Sequence, residues 1–103
     1  MAALALAREL PARYPTLQGV IGAALFEHYE PYEDFNERVP HIADAAEVWP
    51  HVTPVQIVVG PLDGRRLSIE IGYTTLWDVE HTLGATVVEW RLVEFMGSIR
   101  RRR

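Results

Sequence analysis

The residues best equipped for chemistry lie together in Thr75-Leu76-Trp77-Asp78-Val79-Glu80-His81-Thr82-Leu83-Gly84, where an indole, two carboxylates and an imidazole fall within five residues. A carboxylate beside an imidazole can orient the ring as a general base, and the two groups together can also ligate a metal ion. Trp77, Asp78, Glu80 and His81 therefore form a candidate loop site for a small-ligand or metal-binding protein, or for a hydrolase. A structural role competes with that reading. In it Asp78 and Thr82 bond to nearby backbone, Trp77 packs on a sheet edge, Glu80 pairs with His81, and Gly84 eases the start of a strand. The structural role is the stronger, because catalytic and metal centres draw partners from elsewhere in the chain. Nothing in the spacing of His28, His41 or His51 brings them to His81, so no catalytic residue and no metal ligand is assigned.

A second group carries charge instead of chemistry. Glu27, Glu30, Glu33, Asp34 and Glu37 cluster in one stretch with Tyr29, Tyr32 and Phe35. Acidic side chains steer a basic partner and suppress wrong ones, and aromatic rings can anchor it. Glu27, Tyr29, Glu30, Tyr32, Glu33, Asp34 and Glu37 are thus the candidate partner-binding residues. The plainer alternative is a solvated helix flank.

Other chemistries are excluded by residue type. The absence of Cys removes disulfides, thiolate nucleophiles and Cys-based metal sites. The only serines are Ser68 and Ser98, neither in a nucleophile elbow, and no phosphate-binding glycine loop is present. No cofactor is expected.

The 103 residues suffice for one core but not two, and 49% hydrophobic content suits a folded domain. The expected organisation is a single α+β domain over residues 1–99 with a basic tail, Arg100 to Arg103. Outside that tail six Arg face fourteen acidic residues and there is no Lys, so the body is more acidic than the net −4 indicates. Such a body repels nucleic acid. No stretch approaches the roughly 20 apolar residues of a membrane helix, and the start lacks the basic region of a signal peptide. A soluble, cytoplasmic protein is expected.

These residues must be positioned by helices in the first half and strands in the second. A short helix over Ala3 to Leu10 is expected to break at Pro11 and Pro15, with Thr16 capping a second helix. Leu17, Ile21, Ala24, Leu25, His28, Tyr32 and Phe35 recur there at three- and four-residue steps, opposite Glu27, Glu30, Asp34 and Glu37. Pro31 should kink this helix or stop it before a short further piece. Asp44-Ala-Ala-Glu47 resembles a capping box, predicting a short helix through about Trp49.

The period then falls to two. Val55, Ile57 and Val59 alternate, Gly60 to Gly64 carries turn chemistry, and Leu67, Ile69, Ile71 and Tyr73 alternate again, predicting a hairpin with one buried face. After a loop over Thr74 to Thr82, strands from Leu83 to Glu89 and from Leu92 to Met96 join at Trp90-Arg91. Consecutive short strands predict a four-stranded antiparallel meander with the helices packed on one face.

The stretch from Ile69 to Ala85, followed by Leu92-Val-Glu-Phe-Met-Gly97, resembles a bacterial family of domains of unknown function, family 6985. That family carries a W-D-x-E-H-G-L-G-like loop and a closing hairpin. Here Thr82 stands where the family usually has Gly, and Trp90-Arg91 replaces its D-G-type turn. The resemblance implies the α+β fold but no activity. Its members look like small proteins found beside polymorphic toxins, which implies an immunity role. The leading expectation is a non-enzymatic protein-binding domain that neutralises a basic toxin through its acidic helix face. Self-association through a strand edge or the Trp-bearing loop is a further expectation.

Overall fold

A computed structural model describes residues 2–33, 39–63, 66–78 and 80–96. Helix α1 spans Ala2–Tyr29 and passes into a 3₁₀ turn at Glu30–Tyr32; a 3₁₀ helix follows at Ala45–His51. Four strands follow among the described residues: β1 Val52–Asp63, β2 Arg66–Thr75, β3 Leu83–Val88 and β4 Arg91–Met96. They form one antiparallel sheet in the order β1-β2-β3-β4, with the helical half on one face. This is the α+β meander that the change of period predicts. Among the described residues no helix is long and apolar enough to cross a membrane.

α1 corrects the expectation of two helices, and Thr16 lies within it instead of capping a second one. Pro11 and Pro15 both sit inside it, although each removes a backbone bond and crowds the preceding turn at a cost of about 3 kcal/mol. Both prolines are exposed. Leu6, Leu10 and Tyr14 pack against that core. With Leu17, Ile21, Leu25 and Tyr29 they extend one apolar stripe past both prolines, and this packing outweighs local propensity. Pro31 acts as expected, ending the α-helix in a short 3₁₀ turn.

The Asp44 cap is present. Its side chain accepts from the Ala46 N–H at 3.0 Å, and Glu47 reaches back to the Ala43 N–H at 3.4 Å. The helix it starts is 3₁₀ and runs to His51, two residues beyond the expected end. Gly22 of α1 lets it come close, since a Cβ there would meet Trp49 Nε1 at 3.1 Å and the Ala45 carbonyl oxygen at 3.4 Å.

In the sheet, Ile69, Ile71 and Tyr73 of β2 and Leu83, Ala85 and Val87 of β3 are buried beneath Leu17, Ile21, Leu25 and Tyr29. Two details differ from the periodicity. Gly60 and Pro61 pair with Ser68 and Leu67, and pairing continues to Asp63 opposite Arg66, so Gly60 to Asp63 belong to strand and not to the turn. Val55 and Ile57 are half exposed, because β1 is an edge strand with a register shift at Pro54 and the helical cover does not enclose it. The last reversal also falls one residue earlier than expected. It uses Glu89 and Trp90, at φ 54° and 63°. Two-residue hairpins need positive φ to match strand twist, usually with Asn or Gly at these positions. Here the half-buried Trp90 ring packs against the core, and the Arg13 guanidinium lies 5.3 Å from its centroid.

Candidate functional site

The helical stripe ends in two polar rings, His28 in the last turn of α1 and, four residues on, Tyr32 in the 3₁₀ turn. One helical turn places them together, with ring centroids 5.4 Å apart. Opposite them β2 ends and the chain must leave the sheet. The Leu76 N–H donates to the His51 carbonyl at 3.0 Å, tying the start of the loop to the end of the 3₁₀ helix. The Asp78 N–H donates to Thr75 Oγ1 at 3.1 Å, a side-chain-closed turn that aims Asp78 inward.

Trp77 and Asp78 are both buried, at 4% and 7% exposure. Trp77 packs edge-on to Tyr29 and donates its indole N–H to His28 Nδ1 at 3.0 Å. That bond makes His28 Nδ1 an acceptor and places the proton of the neutral ring on Nε2, 4.0 Å from Asp78 Oδ2. Asp78 Oδ2 also accepts from the Tyr32 hydroxyl at 3.1 Å. Asp78 Oδ1 accepts from the Glu80 N–H at 3.3 Å, and His81 Nδ1 donates to the same carboxylate at 3.0 and 3.1 Å. Trp77, His28, Asp78, Tyr32 and His81 thus form one network that staples the loop to the helix.

The electrostatics follow from burial and partners. Burial holds the His28 pKa below the ordinary 6.5; the Asp78 charge opposes this and His81 adds to it. Burial works against the Asp78 carboxylate, but the bonds from His81 and Tyr32 prevail and keep its pKa below 3.8. Burial and the neighbouring Asp78 push the Tyr32 hydroxyl above 10.0. Around neutral pH the centre therefore holds one carboxylate, a neutral His28 and a protonated Tyr32.

The expected loop residues are brought together in a different arrangement. His81 bonds Asp78 and not Glu80, because the turn at Asp78 places the carboxylate under the imidazole while the Glu80 side chain is exposed. Of the partner-binding candidates, Glu27, Glu30 and Glu33 are exposed, and Glu33 meets His41 Nδ1 at 3.1 Å. Tyr32 turns toward Asp78. Tyr29 offers no anchor: it is fully buried, donating its hydroxyl to the Pro40 carbonyl at 2.8 Å and accepting from the Ile42 N–H at 2.9 Å. Asp34, Phe35 and Glu37 lie outside the described residues. Among the described residues no group of three or more His, Cys, Asp or Glu is arranged to hold a metal ion.

Sequence reasoning left His28 out of the site. The signal was present, since a His and a Tyr inside an apolar stripe need buried polar partners, and Asp78 is flanked by apolar residues in its own loop.

The family model of DUF6985, a domain of unknown function, matches residues 3–100, a span that contains α1 except its first residue, the loop and strands β1 to β4. The chain belongs to this family. No curated protein and no solved structure matches the chain significantly. Membership in DUF6985 thus fixes kinship without an activity, and functional argument rests on the loop–helix centre itself.

Proposed function

We propose that this DUF6985 domain is a non-enzymatic protein-binding module of the cytoplasm, an immunity protein that neutralises a basic toxin. The observation that supports this most is the joining of the two candidate regions into one surface. The acidic end of α1 and the Trp77–His81 loop are clamped by the Trp77–His28 and Tyr32–Asp78 bonds. A surface held in place before contact loses little freedom on binding, which favours affinity. Exposed Glu27, Glu30, Glu33 and Glu80 surround it, and Leu76 at 60% exposure offers an apolar contact. Carboxylates spread over a rigid platform attract a basic protein and speed its encounter.

The test compares affinity capture from the native host by the wild-type chain and by Glu27→Lys/Glu30→Lys/Glu33→Lys, with circular dichroism verifying the fold of each. A basic protein retained by the wild type and lost by the variant, and also lost at high salt, is expected. Equal retention by both chains would reject the electrostatic surface.

One observation favours a second reading, a small-ligand site or hydrolase. Asp78 holds His81 through Nδ1 while the His81 side chain stays 46% exposed, which leaves Nε2 available as a base toward a bound molecule. Hydrolysis of simple esters abolished by His81→Ala would support it, and activity unaffected by that change would end it.

A further inference from the structure

We infer that the first half of α1, Ala2 to Tyr14, is a hinged strap, latched over the sheet by Trp90 of the β3–β4 turn and able to open about Pro15 as a unit of its own. The latch lies at the opposite end of β3 from the Trp77–His81 loop and does not depend on the proposed function. The two halves of α1 are held unequally. In the second half Leu17, Ile21, Leu25 and Tyr29 are 2%, 0%, 0% and 0% exposed; in the first, Leu6, Leu10 and Tyr14 are only partly buried against the core, and Leu4 is 50% exposed. The backbone is weakest where the halves meet. Pro11 and Pro15 supply no N–H to the carbonyls of Ala7 and Pro11, and Gly19, four residues further on, is a poor helix former. At this spacing the three exposed residues follow one line along the helix. A segment with little buried apolar surface and few backbone bonds opens separately from the rest of a fold.

The latch is itself strained. Glu89 and Trp90 hold φ of 54° and 63°, a conformation costly for any residue with a side chain. The cost at Trp90 is offset while its ring stays packed against the core beneath the Arg13 guanidinium. Arg13 is held in turn by Glu9 at 3.4 Å, one helical turn earlier. Strap and turn therefore support one another: the helix runs through two prolines because it packs, and the turn keeps its left-handed backbone because its ring is covered. Tyr14 makes a second tie, its hydroxyl meeting that of Tyr73 and its ring lying edge-on to Trp49. Opening breaks these contacts together. It uncovers Tyr73 and Ile71 and widens the apolar cleft of about 240 Å³ that Leu10, Pro11 and Tyr14 form with Pro54, Ile57 and Ile71.

Amide hydrogen exchange of the full chain, read residue by residue, tests this. The amides of Leu6 to Tyr14 should share one rate, about tenfold or more faster than those of Ile21 to Leu25, with a step at Pro15. Trp90→Gly suits the turn but removes the ring; it should speed the strap by a further factor of about ten and leave Ile21 to Leu25 unchanged. Trp90→Phe, which keeps a ring, should speed it less. Pro15→Ala restores a backbone bond at an exposed position and should slow the strap in a chain that is certain to fold. A rate that falls smoothly from the helix start to Leu25 is the fraying of a helix end and overturns the inference. So does equal acceleration of both halves in Trp90→Gly, or a strap indifferent to either the Trp90→Gly or the Pro15→Ala change.

Discussion

Within β2 the buried Tyr73 hydroxyl meets that of Tyr14 at 2.8 Å, whereas in the loop just past the strand the buried Asp78 gathers Tyr32, His81 and the Glu80 N–H. Both centres join the helical layer to the sheet through polar atoms inside an apolar core. The first is neutral: burial and the Tyr14 bond push the Tyr73 hydroxyl far above its ordinary range, so it stays protonated around neutral pH. The second holds a charge, and its partners include two imidazoles. Neutral hydroxyls suffice where two layers need only be held in register. A carboxylate with several donors is found where a loop must be set in one conformation, and it makes that end of the molecule sensitive to acid.

The contrast can be broken or sharpened in order of expected effect. Leu25→Ala removes a fully buried side chain that belongs to neither centre. It should cost about 2–5 kcal/mol in urea unfolding, equally at acid and neutral pH; a loss that varied with pH would show that the apolar core and the charged centre are coupled. Asp78→Asn should cost about 1–3 kcal/mol at neutral pH, because Tyr32, His81 and the Glu80 N–H lose their charged acceptor. Tyr73→Phe should cost about 0.5–1.5 kcal/mol and leave the pH profile of stability unchanged.

The smallest effect is a slope. The folded pKa of His28 lies below its ordinary 6.5, so as pH falls through that value the unfolded chain takes up a proton that the folded chain resists. Its contribution to stability is complete above pH 6.5 and declines below it, and Asp78 adds a further decline below pH 3.8. His28→Gln keeps an acceptor for Trp77 but cannot titrate. Urea unfolding of this variant between pH 5 and 7 should show a flatter profile than the wild type.

Much of this architecture is legible in the residues. The switch of period near Val52 marks the boundary between helical and sheet halves, and Ile69, Ile71 and Tyr73 alternate as buried positions because β2 is flanked on both sides. The same alternation in Val55 and Ile57 misleads, since burial depends on neighbours that an edge strand lacks. Pro11 and Pro15 mislead for a related reason: their local cost is outweighed by contacts of Leu10 and Tyr14 made far along the chain. At the site, the Trp77–His81 segment stands out by composition. Its partners do not, because the bond between Trp77 and His28 spans 49 residues and arises only when α1 crosses the end of β2.

The clamp between helix end and loop is tested most directly at the indole N–H of Trp77, followed by nitrogen-resolved NMR as pH is lowered. The structure predicts that this proton exchanges slowly at neutral pH and that its resonance moves with a midpoint below 6.5 as His28 Nδ1 takes up a proton and ceases to accept. The signals of Trp49 and Trp90 should not follow that titration. A Trp77 signal that exchanges rapidly and is indifferent to pH would contradict the account.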